Sequence, residues 1–158
     1  AMPGTWHFYV DDYRFKALWD HPERVTATGC RSIVEPNFSI YQQSPVANSI
    51  WQVYRKRWLA RFWQSHGINV FADLNVNHDH MDINVLGIPE GWTAFATRGY
   101  QDRWKDTIRE YRIAGEIAGD RVSQLLFVVY GGGKLVEKMC GDHGFVWIPE
   151  QEDQKTLS

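Results

Sequence analysis

Polar and charged side chains recur where apolar runs end. Asp11-Asp12 and Arg14 follow the run 6–10. Asn37 and Ser39 follow 32–34, Asp73 and Asn75 close 69–74, Arg98 follows 93–97, and Tyr130 ends 125–130. If the runs are parallel strands, these residues gather at the carboxyl ends, where α/β folds bind ligands. An aspartate there can act as a general base or hold a divalent cation. Adjacent acids on an extended chain point to opposite sides, so only one of Asp11 and Asp12 would face such a site. Arg14 and Arg98 would clamp an anion, with Asn37, Ser39, Asn75 and Tyr130 as orienting groups. Hydrolysis or phosphodiester cleavage is the first reaction class these types suggest. Strand ends are also polar wherever loops meet water.

Three further groupings carry possible chemistry. If it is a strand, His78-Asp79-His80 places two imidazoles on one face and offers a weak metal site; the other reading is a solvated turn rich in Asn, Asp and His. The arrangement resembles the paired histidines of rolling-circle replication initiators, and Tyr100 and Tyr111 lie near the following helix. Its central Asp79 and a parallel sheet both depart from those enzymes. Tyr54, Arg55, Lys56, Arg57 and Arg61 give one stretch a basic and aromatic edge that would bind phosphates or stack a base. Gly131-Gly132-Gly133-Lys134 lacks the spacing of a phosphate-binding P-loop, although a glycine turn can present backbone N–H groups to an anion.

The elements that must position these residues are legible as periodicity. The spacing predicts a long helix over 45–66, with Ser44 as N-cap, Pro45 at its first position and Gly67 just past its end. Ala47, Trp51, Tyr54, Trp58 and Phe62 form one apolar stripe along it. A second helix over 102–118 has Trp104, Ile108, Tyr111, Gly115 and Ala118 as its inward stripe. Expected strands cover 6–10, 32–34, 69–74, 82–86, 93–97, 125–130 and 145–148, with a short helix over 13–19. Residues 125–130 are apolar throughout, as in strands buried on both faces. The alternation predicts an α/β fold: a single domain over 3–149 with a mostly parallel sheet, open or a partial barrel, and amphipathic helices packed on it. Residues 150–158 read as a mobile polar tail, and Ala1-Met2 as a scar followed by a start residue.

Composition narrows the function classes. The chain has 158 residues, formal charge −2, 44% hydrophobic and 23% charged residues, ordinary for a globular domain. No basic excess exists to drive non-specific nucleic-acid binding, so a nucleic-acid role would need a local patch. Cys30 and Cys140 make no disulfide framework and fit a reducing cytoplasm at least as well as secretion. No apolar run is long enough to span a bilayer, so no membrane partner is expected. Eight tryptophans supply core area or stacking surfaces for bases or sugars.

Several segments, in order, carry a family resemblance: Phe8-Tyr9-Val10-Asp11-Asp12-Tyr13-Arg14-Phe15, Pro36-Asn37-Phe38-Ser39-Ile40-Tyr41 and Pro45, then Ile50-Trp51-Gln52-Val53-Tyr54-Arg55-Lys56-Arg57. Trp63-Gln64-Ser65-His66-Gly67-Ile68-Asn69-Val70, Gly87-Ile88-Pro89-Glu90-Gly91 and Val129-Tyr130-Gly131 complete the order. Over roughly residues 8–133 the chain resembles family 4417 of the domains of unknown function, found in bacteria, phages and plasmids. Aspartate is common in that family where Asn37 stands here, and the His78–His80 run lies outside the pattern. The resemblance imports no activity. It implies a gene carried on mobile elements, and hence work on nucleic acid, through DNA binding or replication. The alternatives are a hydrolase or phosphodiesterase at the strand ends, an initiator-like nuclease using His78 and His80, and a purely structural or partner-binding module, which a broad exposed tryptophan patch without a polar pocket would favour.

Overall fold

A computed structural model of the chain describes residues 4–150. The expectations for Ala1-Met2 and for 151–158 lie outside the described residues. The protein is α/β, and its residues group into two compact units, Ala1–Ile88 and Pro89–Ser158.

The first unit contains β1 (Thr5–Trp6), α1 (Glu23–Thr26), β2 (Ser32–Val34), α2 (Val46–Ser65), β3 (Asn69–Asp73) and α3 (Met81–Asn84). Its strands pair in parallel, with Trp6 opposite Ile33 and Ile33 opposite Val70. The β2–α2–β3 crossover is the unit that a capped helix running into an apolar strand predicts. Gly67 ends α2 as expected. At φ +80° it donates to the Gln64 carbonyl at 3.0 Å, and Ile68 N–H donates to the Trp63 carbonyl at 3.1 Å. That pair of bonds is a Schellman cap, which glycine adopts without a Cβ clash. The start differs. Pro45 is the residue before the first helical turn, and the Ser44 hydroxyl accepts from Tyr41 N–H at 3.0 Å rather than capping the helix.

The orientation of α2 also differs from what its stripe suggests. Its inward face is Ser49, Val53, Lys56, Leu59, Ala60 and Trp63. Trp63 is fully buried, stacks on Phe8 with centroids 5.9 Å apart and donates from Nε1 to the Pro22 carbonyl at 2.9 Å. Trp51, Tyr54 and Trp58 lie on the opposite face, 47%, 52% and 41% exposed. Aromatic residues on both faces give the helix no single apolar side for periodicity to find.

Three expected elements change. Of the first run, 6–10, only Trp6 lies in a strand, Thr5–Trp6, and buried Phe8 and Tyr9 follow it as irregular chain. The 13–19 helix becomes two short 3-10 turns, Asp12–Arg14 and Lys16–Leu18. The expected strand at 82–86 is instead the end of α3, which follows directly on a 3-10 turn at His78–His80. The Asn77 side chain accepts from Asp79 N–H at 3.0 Å and starts that turn.

The second unit contains β4 (Ala94–Arg98), α4 (Trp104–Ala118), β5 (Leu126–Tyr130), α5 (Gly133–His143) and β6 (Val146–Ile148). These strands are also parallel, with Arg98 opposite Tyr130 and Tyr130 opposite Ile148. Tyr111, Phe127 and Phe145 form a ring cluster with centroids 4.5–5.4 Å apart. The helix α5 had a readable signal in Val136, Met139 and Cys140, all buried at helical spacing. The preceding glycines are a close backbone approach. A Cβ on Gly132, at φ +87°, would fall 2.8 Å from the carbonyl carbon of Gly99.

Candidate functional site

The loops that follow β2 and β3 bring a polar cluster together inside the first unit. Asp73, the last residue of β3, is fully buried. Its Oδ1 accepts from the Tyr9 hydroxyl at 3.0 Å and from Asn75 N–H at 3.1 Å. Lys56 reaches it from the inward face of α2, with Nζ 3.3 Å from Oδ2 and 3.2 Å from the Asp73 carbonyl. Lys56 also bonds Asn84 Oδ1, and Asn84 Nδ2 donates to the Asp73 carbonyl at 3.1 Å. With its amide nitrogen facing the acceptors, Asn37 donates to Asp73 Oδ2 at 3.2 Å and to the Asn75 carbonyl at 2.9 Å. Asn75 Nδ2 in turn donates to the Asn37 oxygen at 2.8 Å.

A second buried pair adjoins this one. Glu35 follows β2 and accepts from Asp73 N–H at 2.9 Å and from the Arg57 guanidinium. Arg57 also donates to the Asn84 carbonyl and to the Leu86 carbonyl at 3.1 Å. Two cations thus face two carboxylates, and the cluster is electrically balanced. Burial pushes the Asp73 carboxyl above its usual range against the opposing pull of Lys56, and pushes the Lys56 ammonium below its own.

Asp12 sits beside this cluster in sequence but serves another contact. Its carboxylate accepts Ser39 N–H at 3.0 Å and the Ser39 hydroxyl at 2.9 Å. Arg55 lays its guanidinium over Phe38, 3.9 Å from the ring centroid, and is itself half-buried. Burial lowers its pKa, while Asp12 acts to raise it. Asp11 and Arg14 are exposed, and Arg14 Nε donates to the Tyr13 hydroxyl at 3.3 Å. Of the strand-end candidates in this unit, the structure therefore joins Asn37 with Asn75 and Asp12 with Ser39. In the second unit Arg98 pairs with Glu150 at 3.5 Å and lies 5.5 Å from the Tyr100 ring, and Tyr130 is half-buried on the next strand.

The histidine run is not a pair on one strand face. His78 is exposed, whereas His80 is buried in the 3-10 turn. His80 Nε2 lies 3.1 Å from the Gln42 carbonyl and Nδ1 3.2 Å from Ser49 Oγ. A carbonyl only accepts, so Nε2 is the donor to Gln42. These bonds engage both ring nitrogens. Among the described residues no group of three or more histidine, cysteine, aspartate or glutamate side chains could hold a metal ion.

The five basic-aromatic candidates separate. Lys56 and Arg57 point into the cluster above, while Tyr54 and Arg61 are exposed. Around Tyr54 the outward face of α2 is a ring surface. Trp51 and Tyr54 are near-parallel at 5.7 Å, as are Trp58 and Phe62 at 5.6 Å. Trp19 stands edge-on between them, 5.5 Å from both Trp51 and Trp58. Glu35 and the ridge residues Trp19, Trp51 and Trp58 were not among the candidates read from sequence, and Asp73 was read only as a polar strand end. Their signal was present: an acid closing each of two apolar strands, and a cation on α2 opposite its aromatic stripe.

An α/β protein with parallel strands, a buried polar cluster behind them and an exposed aromatic helix face is the class these features define. The chain belongs to the family described as Domain of unknown function (DUF4417), which matches residues 2–143. Its relatives include the Gene 1 protein of Mycobacterium phage D29, 37% identical over 142 residues, covering 86% of this chain and 52% of the relative. The Gene 1 protein of Mycobacterium phage L5 is 34% identical over 132 residues, covering 81% and 57%. The chain thus spans little more than half the length of these relatives. No solved structure matches it. Among the described residues no helix is long and apolar enough to cross a membrane.

Proposed function

We propose that this is a nucleic-acid-associated protein of a mobile element and that its ligand lies on the outward face of α2. The observation that carries the reading is the exposed Trp51–Tyr54–Trp58 face on a helix with four basic residues and no acidic one. Lys56 and Arg57 are neutralised internally by Asp73 and Glu35, which leaves Arg61 and the half-buried Arg55 to meet phosphate. The phage relatives support the mobile-element part of the reading.

The alternative, a hydrolase or phosphodiesterase at the strand ends, needs a carboxylate free to act. Asp73 is buried and bonded through both oxygens, both oxygens of Asp12 are taken by Ser39, and Asp11, though exposed, stands outside the bonded cluster of Asp73, Asn37 and Asn75. The initiator-like alternative needs two histidines on one metal, and His80 is turned into the fold. Geometry therefore favours the first reading.

A titration of labelled single- and double-stranded oligonucleotides at about 50 and about 200 mM salt tests it. The expected outcome is binding at low salt that weakens as salt rises. Arg61→Ala should weaken binding and reduce the salt slope by about one, as for a lost phosphate contact. Failure to bind any nucleic acid at the lower salt would sink the proposal.

A further inference from the structure

We infer that the ridge on α2 takes unpaired bases, so that the ligand is a single strand and not a duplex. This rests on the nucleic-acid reading and narrows it. The rings are what decide. Trp51, Tyr54 and Trp58 are each 41–52% exposed, so large faces and edges remain open to a partner. Trp51 and Tyr54 lie 17° from parallel, and Trp58 and Phe62 12°. Trp19, wedged edge-on between Trp51 and Trp58, separates the ridge into two flat ring pairs. Seven residues of helix set Trp51 and Trp58 about 10 Å apart along the axis. A flat partner that presents several rings in series suits two such platforms.

Charge separates the two kinds of nucleic acid. The formal charge of the chain is −2, and only Arg55 and Arg61 on this helix are left uncommitted to a buried carboxylate. Duplex binders take most of their affinity from many phosphate contacts, which this face cannot supply. Stacking on aromatic side chains supplies affinity without a large positive field, and it works for any base because every base has a π-face. In a duplex those faces are already stacked on one another, so the ridge would meet only backbone. Arg55 reinforces the platform, since its guanidinium lies over Phe38 and 5.8 Å from the Trp51 ring. With two phosphate contacts, a single strand should show a shallow salt slope of about −1.4.

The test uses the full chain and four probes: a 20-mer of thymidine, a 20-mer of uridine, a 20-bp duplex, and a 20-mer of abasic sites. The single strands should bind at least tenfold more tightly than the duplex and than the abasic strand, which has the same phosphates but no rings. Trp51→Ala and Trp58→Ala should each weaken single-strand binding about tenfold and leave the salt slope unchanged. Both side chains are exposed, and circular dichroism with a melting curve confirms that the variants fold. A duplex bound as tightly as the single strands, or an abasic strand bound as tightly as thymidine, overturns the single-strand assignment while the nucleic-acid reading stands. Binding to none of the four defeats both. Sedimentation completes the test: a wild-type dimer that Trp58→Ala dissociates would show that a second copy covers the ridge and overturn the inference.

Discussion

Lys56→Met should cost about 3–5 kcal/mol of stability at pH 7, because it leaves the Asp73 carboxylate buried without a counter-charge. The Asp73 side chain is fully buried, and Lys56 Nζ is the cation within 3.3 Å of it. Tyr9, Asn37 and Asn75 still donate to the carboxylate, but neutral donors do not replace a charge. The loss should also depend on pH, with a sign fixed by burial. Asp73 already holds its proton more tightly than the usual 3.8, and removing Lys56 strengthens that hold. Above 3.8 the native carboxyl keeps a proton that the unfolded chain has released, so stability falls as pH rises through the raised native value. The deficit of Lys56→Met is therefore full above that value and shrinks as pH is lowered toward 3.8. Urea denaturation at pH 7 and pH 4.5 measures it. Adding Asp73→Asn should recover most of the loss at pH 7, because the amide oxygen still serves Tyr9 and Asn75. A cost under about 1 kcal/mol, unchanged between the two pH values, would show that the pair is not desolvated in solution.

Trp63→Ala should be comparably severe, about 3–5 kcal/mol. The indole is fully buried on the inward face of α2, in one cluster with Phe8, Phe15, Ile33 and Leu59. Its removal opens a cavity among rings that have no room to close, and it strands the Pro22 carbonyl that Nε1 reaches at 2.9 Å. Trp63→Phe should lose less, since it keeps most of the volume and forfeits chiefly that bond. Trp58→Ala, on the opposite face of the same helix, should change the denaturation midpoint little. If Trp58→Ala were the more damaging of the two, the orientation of α2 described above would be reversed.

That orientation marks where sequence reasoning runs out. The strands β2, β3, β4, β5 and β6 and the helices α2 and α4 follow from apolar runs, helical spacing and glycine stops, since each is a local signal. The polar strand ends were legible for the same reason, and Asn37 with Asn75 and Asp12 with Ser39 do meet. Which side of α2 faces the sheet was not legible. Trp51, Tyr54 and Trp58 offer as much apolar area as Val53, Leu59 and Trp63, and the choice is settled by tertiary contacts. Lys56 belongs to the buried side because Asp73 and Asn84 await it, an arrangement that spacing within the helix cannot reveal. The Asn, Asp and His content of 75–80 reads as a turn, and Asn77 does start a tight turn there, so the two imidazoles do not share a strand face. The helix α5 was hidden behind three glycines that look like a flexible loop and in fact allow Gly132 to approach Gly99 closely.

Nucleic acid bound on the outward face of α2 would be trapped there by light. Photocross-linking tests that placement most directly, with a single strand containing 5-iodouracil irradiated in the presence of the full chain and the adducts mapped by peptide sequencing. Adducts are expected at Trp51, Tyr54 or Trp58, competed away by unlabelled single strand. Adducts confined to residues 89–150, or none at saturating strand, would contradict that placement.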